Sequence, residues 1–130
     1  MASAVSGALL DTSVLIAAQV DVDELPATAA ISVITLGELH AGVHLARFGG
    51  TRQLRQRRLD SVRRSFAPIP VDEHVAEHFG KVLAVARRER RVTKATDVLI
   101  IATAGATART LHTLDTAQAR LARAVGVAVA

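Results

Sequence analysis

Short aliphatic or β-branched runs alternate along the chain with longer stretches that carry apolar residues at helical spacing. Gly7-Ala8-Leu9-Leu10 runs into Asp11-Thr12-Ser13, which predicts a buried strand and then a capped helix beginning near Val14. Residues 21–26 are acidic, end in Pro26 and predict a loop or a helix start. Residues 30–34 are β-branched and predict a second strand. Thr35 with Glu38 three positions on has capping-box spacing, for a helix that runs to about Phe48 and stops at Gly49-Gly50. In residues 51–65, Leu54, Leu59 and Val62, with Phe66 just beyond, fall loosely on one helical face. Residues 68–71 hold two prolines and predict an edge strand. Val75, Phe79, Val82, Leu83 and Ala86 mark a helix within residues 72–91. Residues 93–107 are apolar nearly all round and predict a buried helix. A strand over 110–114 ends at Asp115, a short helix follows, and 126–129 form a last strand.

This alternation predicts the α/β class. A parallel sheet of four to five strands would carry helices on both faces, as three α/β/α layers. No repeat, linker or low-complexity segment interrupts it, so one domain over residues 1–130 is expected.

Composition narrows the function classes. The chain has no Trp or Tyr and three Phe, a poor match for reading single-stranded bases by aromatic stacking. It has no Cys, which excludes disulfides, thiolate metal sites and cysteine nucleophiles. Net charge is +4, and 14 of the 16 basic residues are Arg, compatible with nucleic acid or an acidic partner. A genome biased towards Arg and Ala codons would give the same composition. The opening segment lacks a basic n-region and its apolar run is broken by Asp11, so no signal peptide is expected. No run reaches the length of a spanning helix. A soluble cytoplasmic protein is the expectation.

Four acids fall where such a fold opens its binding crevice, at the carboxyl ends of parallel strands. Asp11 ends the first strand and Asp115 the fourth, Glu38 lies one turn into the helix after the second strand, and Asp97 starts the apolar helix. Taken singly, Asp11 can be a helix cap, Glu38 a capping-box partner and Asp115 a turn residue. Asp97 is harder to explain in that way, because burying a carboxylate ahead of Val98-Leu99-Ile100-Ile101 is costly without compensation. Together the four repel one another unless cations are present, and oxygen-only ligands suit Mg²⁺ or Mn²⁺. Such ions bind phosphate oxygens, activate water and stabilise charge in phosphodiester cleavage. Thr12, Ser13 and Thr113 could hold water or orient a carboxylate.

The segments around these acids resemble the PIN-domain family and, within it, VapC-type toxins. They are residues 9–16 (LLDTSVLI), 35–42 (TLGELHAG), 96–104 (TDVLIIATA) and 111–115 (LHTLD), in matching order over essentially the whole chain. The resemblance implies a Mg²⁺- or Mn²⁺-dependent endoribonuclease. Asp11, Glu38 and Asp97 would be its main metal ligands and Asp115 a supporting one. It also implies a homodimer and a VapB-like antitoxin that wraps the toxin and blocks the site. The family often has an acidic residue or His, then Phe, where this chain has Gln118 and Ala119. That departure concerns the helix after Asp115 and the role of the fourth acid.

Other signals compete. His74-Val75-Ala76-Glu77-His78 matches a zinc-peptidase pattern, but no later acidic ligand is evident; a solvated helix face is the alternative. His40 and His44 form a second pair, read as exposed or partner-facing. Arg55 and Arg58 in the basic helix, and Arg91 and Lys94 ahead of Asp97, are candidate RNA contacts. The alternatives are a solvated face for the first pair and, for the arginines that end the helix before Lys94, a complement to its dipole. A non-catalytic protein of the same fold that binds nucleic acid or a partner is the alternative function.

Overall fold

The computed structural model describes residues 7–17 and 28–130; the expected loop or helix start at 21–26 lies outside them. Leu9 faces one side of the first strand, Ala8 and Leu10 face the other, and all three are buried. A continuous apolar run meets this demand of a parallel strand covered on both faces. Strand β1 (Ala8–Leu10) pairs in parallel with β2 (Thr110–His112), Ala8 opposite Thr110 and Leu10 opposite His112.

Single parallel bridges extend this pair: Leu9 to Ala30, Ser32 to Ile69, and Leu111 to Val129. Five segments thus lie side by side, but only two are full strands. The expected four to five strands shrink to two strands and three one-residue bridges. The reasons are local. Pro68 and Pro70 flank Ile69 and have no N–H to offer a ladder. Ser32 ends its segment by turning at once into a helix.

Six helices complete the described residues: α1 (Thr12–Ala17), α2 (Val33–Leu45), α3 (Gly49–Ser65), α4 (Glu73–Arg88), α5 (Ala95–Ala106) and α6 (Thr116–Ala124). Helices α4, α5 and α6 place Val82, Ala86, Ile100, Ile101, Ala104 and Leu121 against Leu9 and Leu111. Helices α1, α2 and α3 place Leu15, Leu39, Val43, Leu59 and Val62 against Ala8, Leu10 and Ile31. The three layers are therefore α/β/α.

Several boundaries differ from the sequence reading. The first helix starts at Thr12, because the Asp11 carboxylate already accepts the Ser13 N–H at 3.0 Å. Val33 and Ile34, expected in a strand, are helical. Ser32 caps that helix through the Ile34 N–H at 3.0 Å, and packing overrides the β-branched preference. Thr35 is consequently no cap; it is fully buried in the first turn, and its hydroxyl has no hydrogen-bond partner among the described residues. Gly49-Gly50 begin α3, since α2 has already closed at Ala46. Leu54 is exposed, while Leu59 and Val62 on the same helix are buried.

Candidate active site

Asp11 leaves β1 at the carboxyl end of the sheet and is buried there. Its Oδ2 takes the Ser13 N–H at 3.0 Å, and its Oδ1 takes the side-chain amide of Gln118 at 3.2 Å. The next residue, Thr12, donates its hydroxyl to Glu38 Oε1 at 2.6 Å, which ties α1 to α2. The β2 end arrives alongside. Thr113 Oγ1 lies 2.6 Å from Gln118 Oε1 and 3.4 Å from both Asp11 Oδ2 and Ser13 Oγ. Ser13 Oγ accepts the Leu114 N–H at 3.0 Å. Asp115 caps α6 by accepting the Gln118 N–H at 3.0 Å.

Asp97 stands in the first turn of α5, half-buried. Its carboxyl is pushed from the ordinary 3.8 up to about 6, chiefly by burial. The negative charges of Asp11, Asp115 and Glu38 add to the rise, and Lys94 works against it. The other three predicted acids therefore lie within electrostatic reach of Asp97. Even so, no three acidic or histidine side chains among the described residues stand in chelating geometry about one point. The acids converge without being drawn together.

The pattern of the PIN domain matches residues 8–124. The chain belongs to the PIN-domain family. It is 41% identical over 102 residues to Ribonuclease VapC8 of Mycobacterium tuberculosis, covering 74% of this chain and 88% of that relative. The fold is similar to VapBC-5 from M. tuberculosis, a member of the VapBC family of toxin–antitoxin systems. That match has a TM-score of 0.82 and 32% identity, over 95% of this chain and 97% of the other. FitAcB from Neisseria gonorrhoeae superposes with a TM-score of 0.76 at 30% identity, over 94% and 95% of the two chains.

Two clefts flank the acids of this PIN domain. One, of about 460 Å³, is lined by Arg91, Lys94, Asp97, Asp115, Gln118 and Arg120 among others. The other, of about 410 Å³, brings Glu38 together with Ile16, Leu54, Arg55 and Arg58. All four basic residues singled out from sequence thus border the acid end. Two of them are partly engaged elsewhere: Arg55 donates to the Gly42 carbonyl at 2.7 Å, and Arg91 pairs with Glu89 at 2.7 Å.

Sequence reasoning missed the part Gln118 plays and passed over Arg120. In the sequence Gln118 stands out only as a departure from the family's pattern. Its bond to Asp11 spans 107 positions and leaves no local periodicity to read. The zinc-peptidase pattern gains no support. His74 and His78 stack edge to face with ring centroids 5.0 Å apart, and Glu77 pairs with His74 at 3.7 Å. His78 packs beside Gly105 in a separate cleft, and burial is the first cause lowering its pKa.

Proposed function

We propose that this PIN domain is a metal-dependent endoribonuclease, the toxin of a VapBC-like toxin–antitoxin pair. The observation that carries the reading is the convergence of Asp11, Glu38 and Asp115 on Asp97, whose carboxyl is pushed up to about 6 by burial and, after it, by these three charges, in a chain 41% identical to a ribonuclease. The donor set fits a hard divalent cation. It is all oxygen, and among the charges that act on Asp97 only Lys94 offsets the three neighbouring acids.

In this reading Asp11, Glu38 and Asp97 hold Mg²⁺ or Mn²⁺ and Asp115 supports it. When bound, the cation would supply Lewis-acid chemistry, activating water and offsetting charge on the scissile phosphate. Thr12 orients the Glu38 carboxylate, while Ser13 and Thr113 help fix Asp11 and the start of α6. Arg55, Arg58, Arg91 and Lys94 contact RNA phosphates on either side of the acids. The chain works as one domain in the cytoplasm, as a homodimer, under control of a VapB-like antitoxin. Among the described residues no helix is long and apolar enough to cross a membrane.

The test is RNA cleavage with Mg²⁺ or Mn²⁺, with EDTA, and in Asp11→Asn and Asp97→Asn. Cleavage should need the cation and vanish in both variants. Cleavage that survives EDTA, or in both variants, refutes the assignment. RNA binding without cleavage under any condition would favour the non-catalytic reading.

A further inference from the structure

Gln118 is the third residue of α6 and only 2% exposed, yet its side chain is a polar amide. Each end of that amide has a partner. Oε1 lies 2.6 Å from Thr113 Oγ1, and Nε2 donates to Asp11 Oδ1 at 3.2 Å and to the backbone carbonyl of Asp97 at 3.5 Å. A threonine hydroxyl has one proton to give. At 2.6 Å, Gln118 is a far better acceptor than Asp11 Oδ2 at 3.4 Å. The hydroxyl oxygen in turn accepts the Asp115 N–H at 3.1 Å. This chain of bonds fixes the amide with its NH₂ towards Asp11, since the reverse orientation would set an amide oxygen against a carboxylate. The Gln118 backbone N–H meanwhile holds Asp115 Oδ1 at 3.0 Å. One residue is therefore bonded to the carboxylates of Asp11 and Asp115 and to the backbone of Asp97.

We propose that Gln118 is a positioning residue that sets the divalent-cation affinity of the acid cluster, by offering Asp11 a buried neutral donor where a carboxylate of the same size would add a fifth charge. The inference rests on the metal-nuclease reading above. Two opposed consequences follow from the chemistry. Cation affinity in an oxygen site grows with the number of carboxylates. Gln118→Glu nearly preserves the shape, adds a charge and removes the donor. It tightens cation binding and weakens the metal-free fold, because Asp11 and Asp97 then face another anion. Gln118→Leu removes the donor without adding charge and leaves the Asp11 carboxylate and the Thr113 hydroxyl short of a buried partner. Loss of such an orienting bond weakens metal binding by roughly 10- to 100-fold.

The experiment is a Mg²⁺ titration of the whole protein, followed by thermal unfolding, with Mn²⁺ calorimetry as a second readout. Neither depends on RNA cleavage. The wild type, Gln118→Glu, Gln118→Leu and Asp97→Asn are compared. The half-saturating Mg²⁺ concentration should fall severalfold for Gln118→Glu, with a lower melting temperature in EDTA, and should rise for Gln118→Leu. If Gln118→Leu does not fold, the Gln118→Glu arm decides alone. Lower melting temperatures with half-saturation unchanged would overturn the proposal and make Gln118 a packing residue. The nuclease reading would survive that result, provided Asp97→Asn still abolished the response to Mg²⁺. A wild type that ignores both cations would overturn both.

Discussion

On one face of the sheet α4, α5 and α6 bury Leu9 and Leu111, and α5 alone contributes Val98, Ile100, Ile101, Ala102, Thr103 and Ala104 as buried residues. On the other face α2 and α3 cover Leu10 and Ile31, but Leu45, Phe48 and Leu54 stay 62–75% exposed on or between those two helices. The same contrast runs into the site. The α5 face delivers Asp97, a carboxyl pushed up to about 6 by burial and by its acidic neighbours. The α2 face delivers Glu38, whose carboxylate is steadied by the Thr12 hydroxyl. One face supplies a carboxylate under electrostatic pressure and the other a carboxylate held by a hydrogen bond. The site sits where these two kinds of support meet.

The largest effect should come from removing one acid from each face. Asp97→Asn and Glu38→Gln should each lower RNA cleavage at least about 100-fold, the scale of losing several kcal/mol of charge stabilisation at the phosphate. A Glu38→Gln variant with near-normal turnover would break the idea that both faces serve one site. Next in size is the core. Ile101→Ala should cost roughly 2–5 kcal/mol by urea unfolding, whereas Leu54→Ser on the open side of α3 should stay within about 0.5 kcal/mol. Equal losses would mean that the two faces are closed alike.

Asp97 offers a smaller, pH-dependent test. Its folded pKa of about 6 lies above the ordinary 3.8, so the folded state holds the proton more tightly than the unfolded chain. Metal-free protein should therefore lose stability as pH rises from about 4 to about 6, and the loss should be complete above that window. Asp97→Asn should lack this slope in a melting series in EDTA. At pH 7 it should gain about 1 kcal/mol, a modest figure because the half-exposed group is screened by solvent. The variant that destroys activity should thus melt higher than the wild type.

The smallest test separates two neighbouring hydroxyls. Ser32→Ala removes the cap of α2 and should cost about 1 kcal/mol. Thr35→Val removes a buried hydroxyl with no partner among the described residues and should be neutral or slightly stabilising by the same unfolding assay. The sequence reading predicts the reverse, since it places the cap at Thr35.

That reversal shows what kind of information a sequence displays. The four acids were legible because each follows a local signal, either an apolar run that stops or a helix that begins. The buried helix α5 was legible from its apolar composition. The second strand is misleading in sequence because Val33 and Ile34 have β-branched side chains, while their helical state follows from the Ser32 cap and from Ile34 packing on the core. Gln118 could not be read as a partner of Asp11, because nothing in the residues around either one announces the other. Local chemistry places the charges, and long-range hydrogen bonding decides how they are held.

That long-range pairing has a consequence for the order of events during synthesis. β1 has only its one-residue bridge to Ala30 until Thr110–His112 have been made, and Asp11 receives its amide from a residue 107 positions further on. Contacts across such a span close late, after the loop entropy between them has been overcome. A ribosome making this chain therefore carries an unfinished site through most of elongation. The cap residue Asp115 and the amide that holds Asp11 arrive only as α6 emerges, so a nascent chain that stalls earlier lacks both.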